Sequence, residues 1–413
     1  MESRGAGPMD ASRMLAPLRS HDFRRLWIAQ FISVIGDKVH QIAMSILVYE
    51  VTGSLLHVGL MLAITTLPAV LFGVVAGVYV DRWDRRTTML VSDLARALVV
   101  LSIPWLVHLG MPFFYLAAFT VASISLLFEP ARLALIPELV EPDELMAANS
   151  LDNVTTSVSE LLGLAFGAGL VAWLGSTTVF YFDGATFVAS AIFVAMVRYR
   201  GSAMAVGETA ELFRNQVKHG IRHIGERAVL RDLIVVYTLA AAGIAASITA
   251  VNGLAFERFQ TSVAGGRAVS LAILDGAITV GLLLGSVSVG QSSTVNAGRK
   301  FLWSLMVFGA AFMLIAFTKN LFLTLPLLLI GGMANMWFYV PSATIIQTSS
   351  ARHLLGRVFA TKNAAARLAT VGGFLAAGFL AEFVGLTVTV FAIGAAVIMV
   401  GLYGWFRPAL REA

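Results

Sequence analysis

The sequence predicts an all-α membrane protein with twelve transmembrane helices, and three observations predict it. The chain of 413 residues is 58% hydrophobic and only 13% charged, with a mean hydropathy of +0.82. A soluble domain carries roughly 25% charged residues, so at half that share the polar surface cannot cover the particle and the rest must face lipid. Twelve windows of about 20 mostly apolar residues follow one another, each long enough to cross a bilayer. Basic residues between them fall on one side: 22 of the 29 lysines and arginines there, three opposite (Arg258, Arg267, Lys319), and four inside spans (Lys38, Arg96, Lys362, Arg367).

Residues 1–22 form a polar tail without the apolar core of a cleaved signal peptide. The spans fall near 24–50, 57–80, 88–109, 112–131, 150–173, 177–197, 232–255, 268–290, 300–318, 321–346, 358–381 and 386–406, divided by breakers such as Thr52-Gly53, Gly110, Gly175 and Gly385. Neighbouring spans joined by so few residues must be antiparallel hairpins, because backbone groups in lipid bond within their own helix. An even number of spans puts both termini on one side, and the basic bias makes that side the cytoplasm.

The longest connection, 198–231, divides a six-helix bundle at 23–197 from a second at 232–406, with a tail at 407–413. Within it Leu212, Val217, Ile221 and Ile224 recur at near-helical spacing among basic residues, the pattern of an amphipathic helix on the inner membrane face that ties two halves together. The halves are related at one stretch. Phe128-Glu-Pro130 in span four matches Tyr339-Val-Pro341 in span ten, 211 residues on, as in transporters built from repeats.

Composition and motifs also exclude function classes. Without cysteine there are no disulfides, zinc–thiolate sites, iron–sulfur clusters or thiol chemistry. The 7 histidines are scattered, and no G-x-S-x-G, H-E-x-x-H or GxxxxGK[ST] occurs, which argues against an enzyme or an ATP-driven pump. No cofactor or metal is expected. The net charge of +5 is explained by topology and calls for no nucleic-acid partner.

Span one carries a polar stripe, Gln30, Ser33, Asp37, His40 or Gln41, and Met44, on one helical face. A carboxylate in mid-span costs about 2.5–3.5 kcal/mol on insertion scales. Asp37 is therefore either a proton or cation site or the partner of a neighbouring basic side chain, and both readings stay open. Glu160 in span five, Asp275 in span eight, and Lys362 and Arg367 in span eleven pose the same choice. Asp93 and Arg96, one turn apart near the start of span three, are placed to neutralise each other.

The loop after span two reads Gly77-Val-Tyr-Val-Asp81-Arg82-Trp-Asp-Arg85-Arg86 and resembles the G-x-x-x-D-R-x-G-R-[RK] signature of the major facilitator superfamily, with Asp84 where the family usually has glycine. Phe23-Arg-Arg-Leu-Trp, Ile35-Gly36-Asp37, Leu47-Val-Tyr-Glu-Val-Thr-Gly-Ser54, Pro137-Glu-Leu, Ala148-Asn149-Ser150, Phe182-Asp183-Gly-Ala-Thr-Phe187 and Gly356-Arg357-Val358 resemble the macrolide-efflux and enterobactin-exporter branch, the third drug:proton antiporter group. Drug antiporters often carry G-P-x-x-G-G in span five. Here Gly163-Leu-Ala-Phe-Gly167-Ala-Gly169 keeps the small residues, which permit close helix packing, without the proline.

The resemblance covers the chain after residue 20 and implies a major facilitator fold in the bacterial cytoplasmic membrane. It also implies monomeric, proton-coupled export of a small amphipathic compound, drug, macrolide or siderophore-like. Asp37 and Glu160 are then the proton-coupling candidates. Ser33, His40, Gln41, Thr249, Asn252, Asn335, Phe338 and Tyr339 become cavity residues. Gly77, Asp81, Arg82, Arg85 and Arg86 form a gating loop that works with Asp93, Arg96 and Arg357, the arginines pairing with acids of the inner surface. Asp275, Lys362 and Arg367 are charges between the halves. Rival readings are uptake, a lysophospholipid-type substrate, or a non-transporting membrane sensor.

Overall fold

The computed structural model describes residues 15–73, 83–199, 222 and 224–413. Gly77, Asp81 and Arg82 of the gating loop, and Leu212, Val217 and Ile221 of the amphipathic stretch, lie outside them. The described residues are helical and contain no strand. In order the main helices are α1 (His21–Thr52), α2 (Leu55–Leu71), α3 (Arg85–Leu109), α4 (Met111–Leu139), α5 (Leu145–Leu174), α6 (Val179–Ala195), α7 (Ala228–Gly253), α8 (Gly266–Gly290), α9 (Ala297–Phe317), α10 (Leu321–Ser349), α11 (Leu355–Val384) and α12 (Leu386–Trp405). Among the described residues ten are long and apolar enough to cross a membrane, while α2 and α6 are apolar but shorter.

Their surface is that of a lipid-facing protein. Trp173 and Phe322 are 82% and 78% exposed, which water would penalise and hydrocarbon does not. The ends are set by local chemistry. Asp84 starts α3 in extended conformation, its carboxylate accepting from Thr87 N at 2.7 Å, so the residue that departs from the signature's glycine serves as an N-cap. Gly175 after α5 and Gly385 after α11 hold φ of +82° and +85°, a region in which a Cβ is strained. The two sit six helices apart in the same role. Arg132, on the sequence reading part of an inner connection, lies inside α4, because that helix runs on to Leu139.

The chain divides into two compact units, Met1–Ala43 with Leu71–Val206, and Met44–Val70 with Gly207–Ala413. The division at Val206/Gly207 falls within 198–231, whereas residues 44–70 group with the second unit. Residues 44–70 join the second unit through Tyr49 Oη to Glu257 Oε1 at 3.3 Å, Ser54 Oγ to Glu382 Oε2 at 2.7 Å, and Gly59 packed on the Phe374 carbonyl. In the first unit α3 packs along α4 and α6, and in the second α9 packs along α10 and α12. The first unit's core joins Phe23 and Leu26 of α1, Met89 of α3, Phe128 and Leu135 of α4, Leu151 of α5 and Val194 of α6.

Small residues permit the closest crossings. On α5, Gly163 and Gly167 lie against α1 at Ile35, Lys38 and Val39, the close packing expected of the span-five glycines. On α11, a Cβ at Gly373 would meet the Ala242 carbonyl oxygen of α7 at 2.1 Å. Backbone on both sides cannot yield as a side chain does. Gly373→Ala is therefore expected to lower stability by about 1–3 kcal/mol, measured as a lower melting temperature of the purified protein in detergent. An unchanged melting temperature would refute the crossing.

Candidate functional site

The first unit holds a chain of charges contributed by three helices, α1, α3 and α6. Asp93 and Arg96 stand one turn apart on α3, their side chains 0% and 3% exposed, and the guanidinium donates to Asp93. Ser190 Oγ of α6 donates to the other Asp93 oxygen at 2.7 Å. The guanidinium lies over the rings of Phe128 of α4 and Phe187 of α6, 4.6 and 4.3 Å from their centroids, within cation–π range. Its Nη1 is 4.0 Å from Asp37 Oδ1 of α1. One turn along α1, His40 Nδ1 is 2.7 Å from Oδ2 of Asp183 on α6, a carboxylate fully withdrawn from solvent.

The close approach of α1 and α6 depends on Gly36, where a Cβ would fall 2.1 Å from Thr186 Oγ1. That glycine lets the Asp183 and His40 side chains meet. Within this cluster Arg96 neutralises Asp93, and an imidazolium at His40 would neutralise Asp183. Asp37 is the group left over. Its side chain is 51% exposed, and at 4.0 Å with that exposure its attraction to Arg96 is weak. Within this cluster it is thus the carboxylate with an accessible side chain and no dedicated partner, the arrangement needed to exchange a proton without breaking a buried pair.

The other expected site residues fall as follows. Ser33 is buried on α1, while Gln41 is exposed and accepts from Lys38 at 3.3 Å. Glu160 is half-buried on α5 and forms no ion pair with a described residue. Arg85 donates to Glu138 Oε1 at 3.2 Å and to the Ala134 carbonyl. Arg86, expected to meet an acid, donates instead to the Val194 and Ala195 carbonyls at the end of α6, where a cation offsets the helix dipole.

In the second unit Thr249 and Asn252 are buried on α7, and the Thr249 hydroxyl and the Asn252 carbonyl oxygen have no hydrogen-bond partner among the described residues. On α10, Asn335 is half-buried and Tyr339 is 52% exposed. Phe338 is packed between Tyr237 and Phe301 at ring separations of 4.6 and 5.3 Å. Asp275 is half-buried on α8, Arg357 half-buried on α11, and Arg367 exposed with a 3.3 Å bond to the Ala69 carbonyl. Lys362 is buried beside Tyr237.

Asp183 was not singled out as a site residue from sequence, nor were Glu129, Arg132 and Asp152, which join α4 to α5 in a second ion-pair network centred on the buried Arg132. One signal could have found Asp183: a lone acid in the apolar run Val179–Ala195 carries the same insertion penalty as Asp37.

Helices of this length and surface, with ionisable groups buried inside them, define a polytopic membrane protein, and its relatives and structural neighbours are transporters of the major facilitator superfamily. The chain belongs to the transmembrane secretion effector family of that superfamily, which matches residues 12–413. It is 28% identical over 391 residues to the multidrug efflux pump Tap of Mycolicibacterium fortuitum, covering 91% of this chain and 93% of that one. It is 26% identical to the uncharacterized transporter YfiS of Bacillus subtilis strain 168, covering 94% and 93%. The crystal structure of the nucleoside transporter NupG shares the fold at 9% identity, with a TM-score of 0.76 over 93% of this chain and 98% of that one. The family and these relatives are transporters, not enzymes.

Proposed function

We propose that this protein exports a small amphipathic compound by alternating access, in antiport with protons, with Asp37 as the coupling group. In this reading α2 and α6 complete twelve spans in two six-helix halves, and the chain works as a monomer with both termini in the cytoplasm of a bacterial cell. The observation that carries the proposal is the Asp37–Arg96–Asp93 chain. On this reading the Asp37–Arg96 contact, loose at 4.0 Å here, tightens in the opposite state while Asp37 is charged and is lost when Asp37 is protonated, with the Asp93 pair intact throughout, so one proton shifts the balance of a cluster shared by α1, α3 and α6. A bound ligand drives a conformational change only through such a difference between states. Glu160 and the Arg85–Glu138 contact are further participants on the same reading. The efflux name of the Mycolicibacterium relative supports export over uptake.

The test uses purified protein in liposomes loaded with a pH-sensitive dye, and a panel of macrolides, siderophores and lipophilic cations. Native protein is expected to move protons when substrate is added. Asp37→Asn is expected to cut that flux at least about tenfold while the protein remains folded. Substrate movement without proton movement by the native protein, or full coupling in the variant, would refute the proposal.

A further inference from the structure

The second unit buries a cation that no carboxylate of a described residue neutralises. Lys362 on α11 is 2% exposed, yet forms no ion pair or hydrogen bond with any described residue. Its Nζ lies 4.2 Å from the ring centroid of Tyr237 on α7, 5.3 Å from that of Tyr339 on α10 and 5.5 Å from that of Phe359 on α11. Ring faces stabilise an ammonium through their quadrupoles, but they take up none of its three N–H donors as a carboxylate would. A buried charge left so is costly, and in a membrane protein such a residue faces an interior pathway.

The first unit offers a direct comparison. Phe128 and Tyr339 occupy matching positions of the related stretch, and each has a cation over its ring. Under Phe128 the cation is Arg96, which has Asp93 as its own counter-ion. Under Tyr339 it is Lys362, which has none. The cage is also held in shape: Phe301 stacks on Phe338 and Phe338 on Tyr237, so the Tyr237 face is backed by two further rings. Tyr339 is half exposed, so the cage is open along that ring.

From this we infer that Lys362, Tyr237 and Tyr339 form an anion-accepting subsite, which takes the acid group of an amphipathic substrate while the substrate's apolar body lies on the tyrosine faces. The inference rests on the transporter reading for its role in export, but not for binding itself. It narrows the substrate class to amphiphiles bearing a carboxylate or a comparable acid, and assigns Lys362 as the residue that selects them. A charge-assisted contact in a desolvated cage discriminates strongly, whereas a neutral analogue leaves the ammonium unsatisfied.

Binding is measured first, on the full-length protein in detergent, by calorimetry with 2-naphthoate and its methyl ester. The acid is expected to bind at least about tenfold more tightly than the ester. Lys362→Met is expected to abolish that preference, Lys362→Arg to keep most of it, and Tyr339→Leu to weaken both ligands. Native protein that binds neither compound, or binds the ester equally well, overturns the subsite, and neither result depends on a variant folding. Retention of the preference in Lys362→Met overturns it too. Liposome uptake then separates the two levels: acid binding without acid movement contradicts the transport reading and leaves the subsite standing.

Discussion

Replacing Arg96 with methionine is expected to remove about 3–5 kcal/mol of stability, the cost of leaving one member of a buried ion pair without its partner. Asp93 is 0% exposed and has Ser190 as its other partner, and one hydroxyl cannot compensate a carboxylate in that setting. The substitution also removes the cation from Phe128 and Phe187. Asp37 contributes little to the loss, since half its side chain already meets solvent. The double variant Arg96→Met with Asp93→Leu is therefore expected to recover a large part of the stability, because an apolar pair of similar volume can replace a buried ion pair without penalty. Thermal unfolding in detergent measures both. A double variant no more stable than Arg96→Met would show that the two residues do not form the unit described here.

Much of this fold was legible in the sequence because lipid imposes few choices. A run of apolar residues in hydrocarbon must be helical, so composition and spacing located most of the helices to within a few residues, the ends of α2 and α4 excepted. The ends were less legible. α4 continues to Leu139 and takes Arg132 into the helix, because its charge is matched by Glu129 and Asp152, partners that a hydropathy window does not see. The site was legible one residue at a time. The cost of Asp37 and the one-turn spacing of Asp93 and Arg96 were plain, but that they meet depends on helix packing, and on α6 approaching α1 at Gly36. The same approach explains why Asp183 escaped notice and why His40 faces it. Arg86 misled for a related reason. An arginine near a membrane surface suggests an acidic partner, yet the end of a helix presents carbonyls that serve as well.

The second large effect is expected at Arg132, and the exposures of its partners rank the variants. Its side chain is 4% exposed and grips Glu129 with two bonds, Nη2 to Oε1 at 2.6 Å and Nε to Oε2 at 3.0 Å, while Nη1 donates to Asp152. Glu129 is 53% exposed and lies on the same helix, whereas Asp152 is 15% exposed and belongs to α5. Arg132→Leu strands Asp152 in a largely desolvated position and should cost about 3–5 kcal/mol. Asp152→Asn leaves Arg132 with its bidentate partner and should cost about 1–2 kcal/mol, the scale of a weakened buried hydrogen bond. Glu129→Gln removes a pair that solvent already screens and should cost no more than about 1 kcal/mol. Pro130 sits between Glu129 and Arg132 and removes a helical hydrogen bond there, so the clamp to α5 falls at a turn of α4 that a proline weakens. The matching turn of α10 has Pro341 flanked by Val340, with Ala343 at the arginine position. Hydrogen exchange should therefore quicken around Pro130 in Arg132→Leu and stay unchanged around Pro341. Equal losses in Glu129→Gln and Arg132→Leu would mean that the intrahelical pair, and not the link to α5, holds this turn.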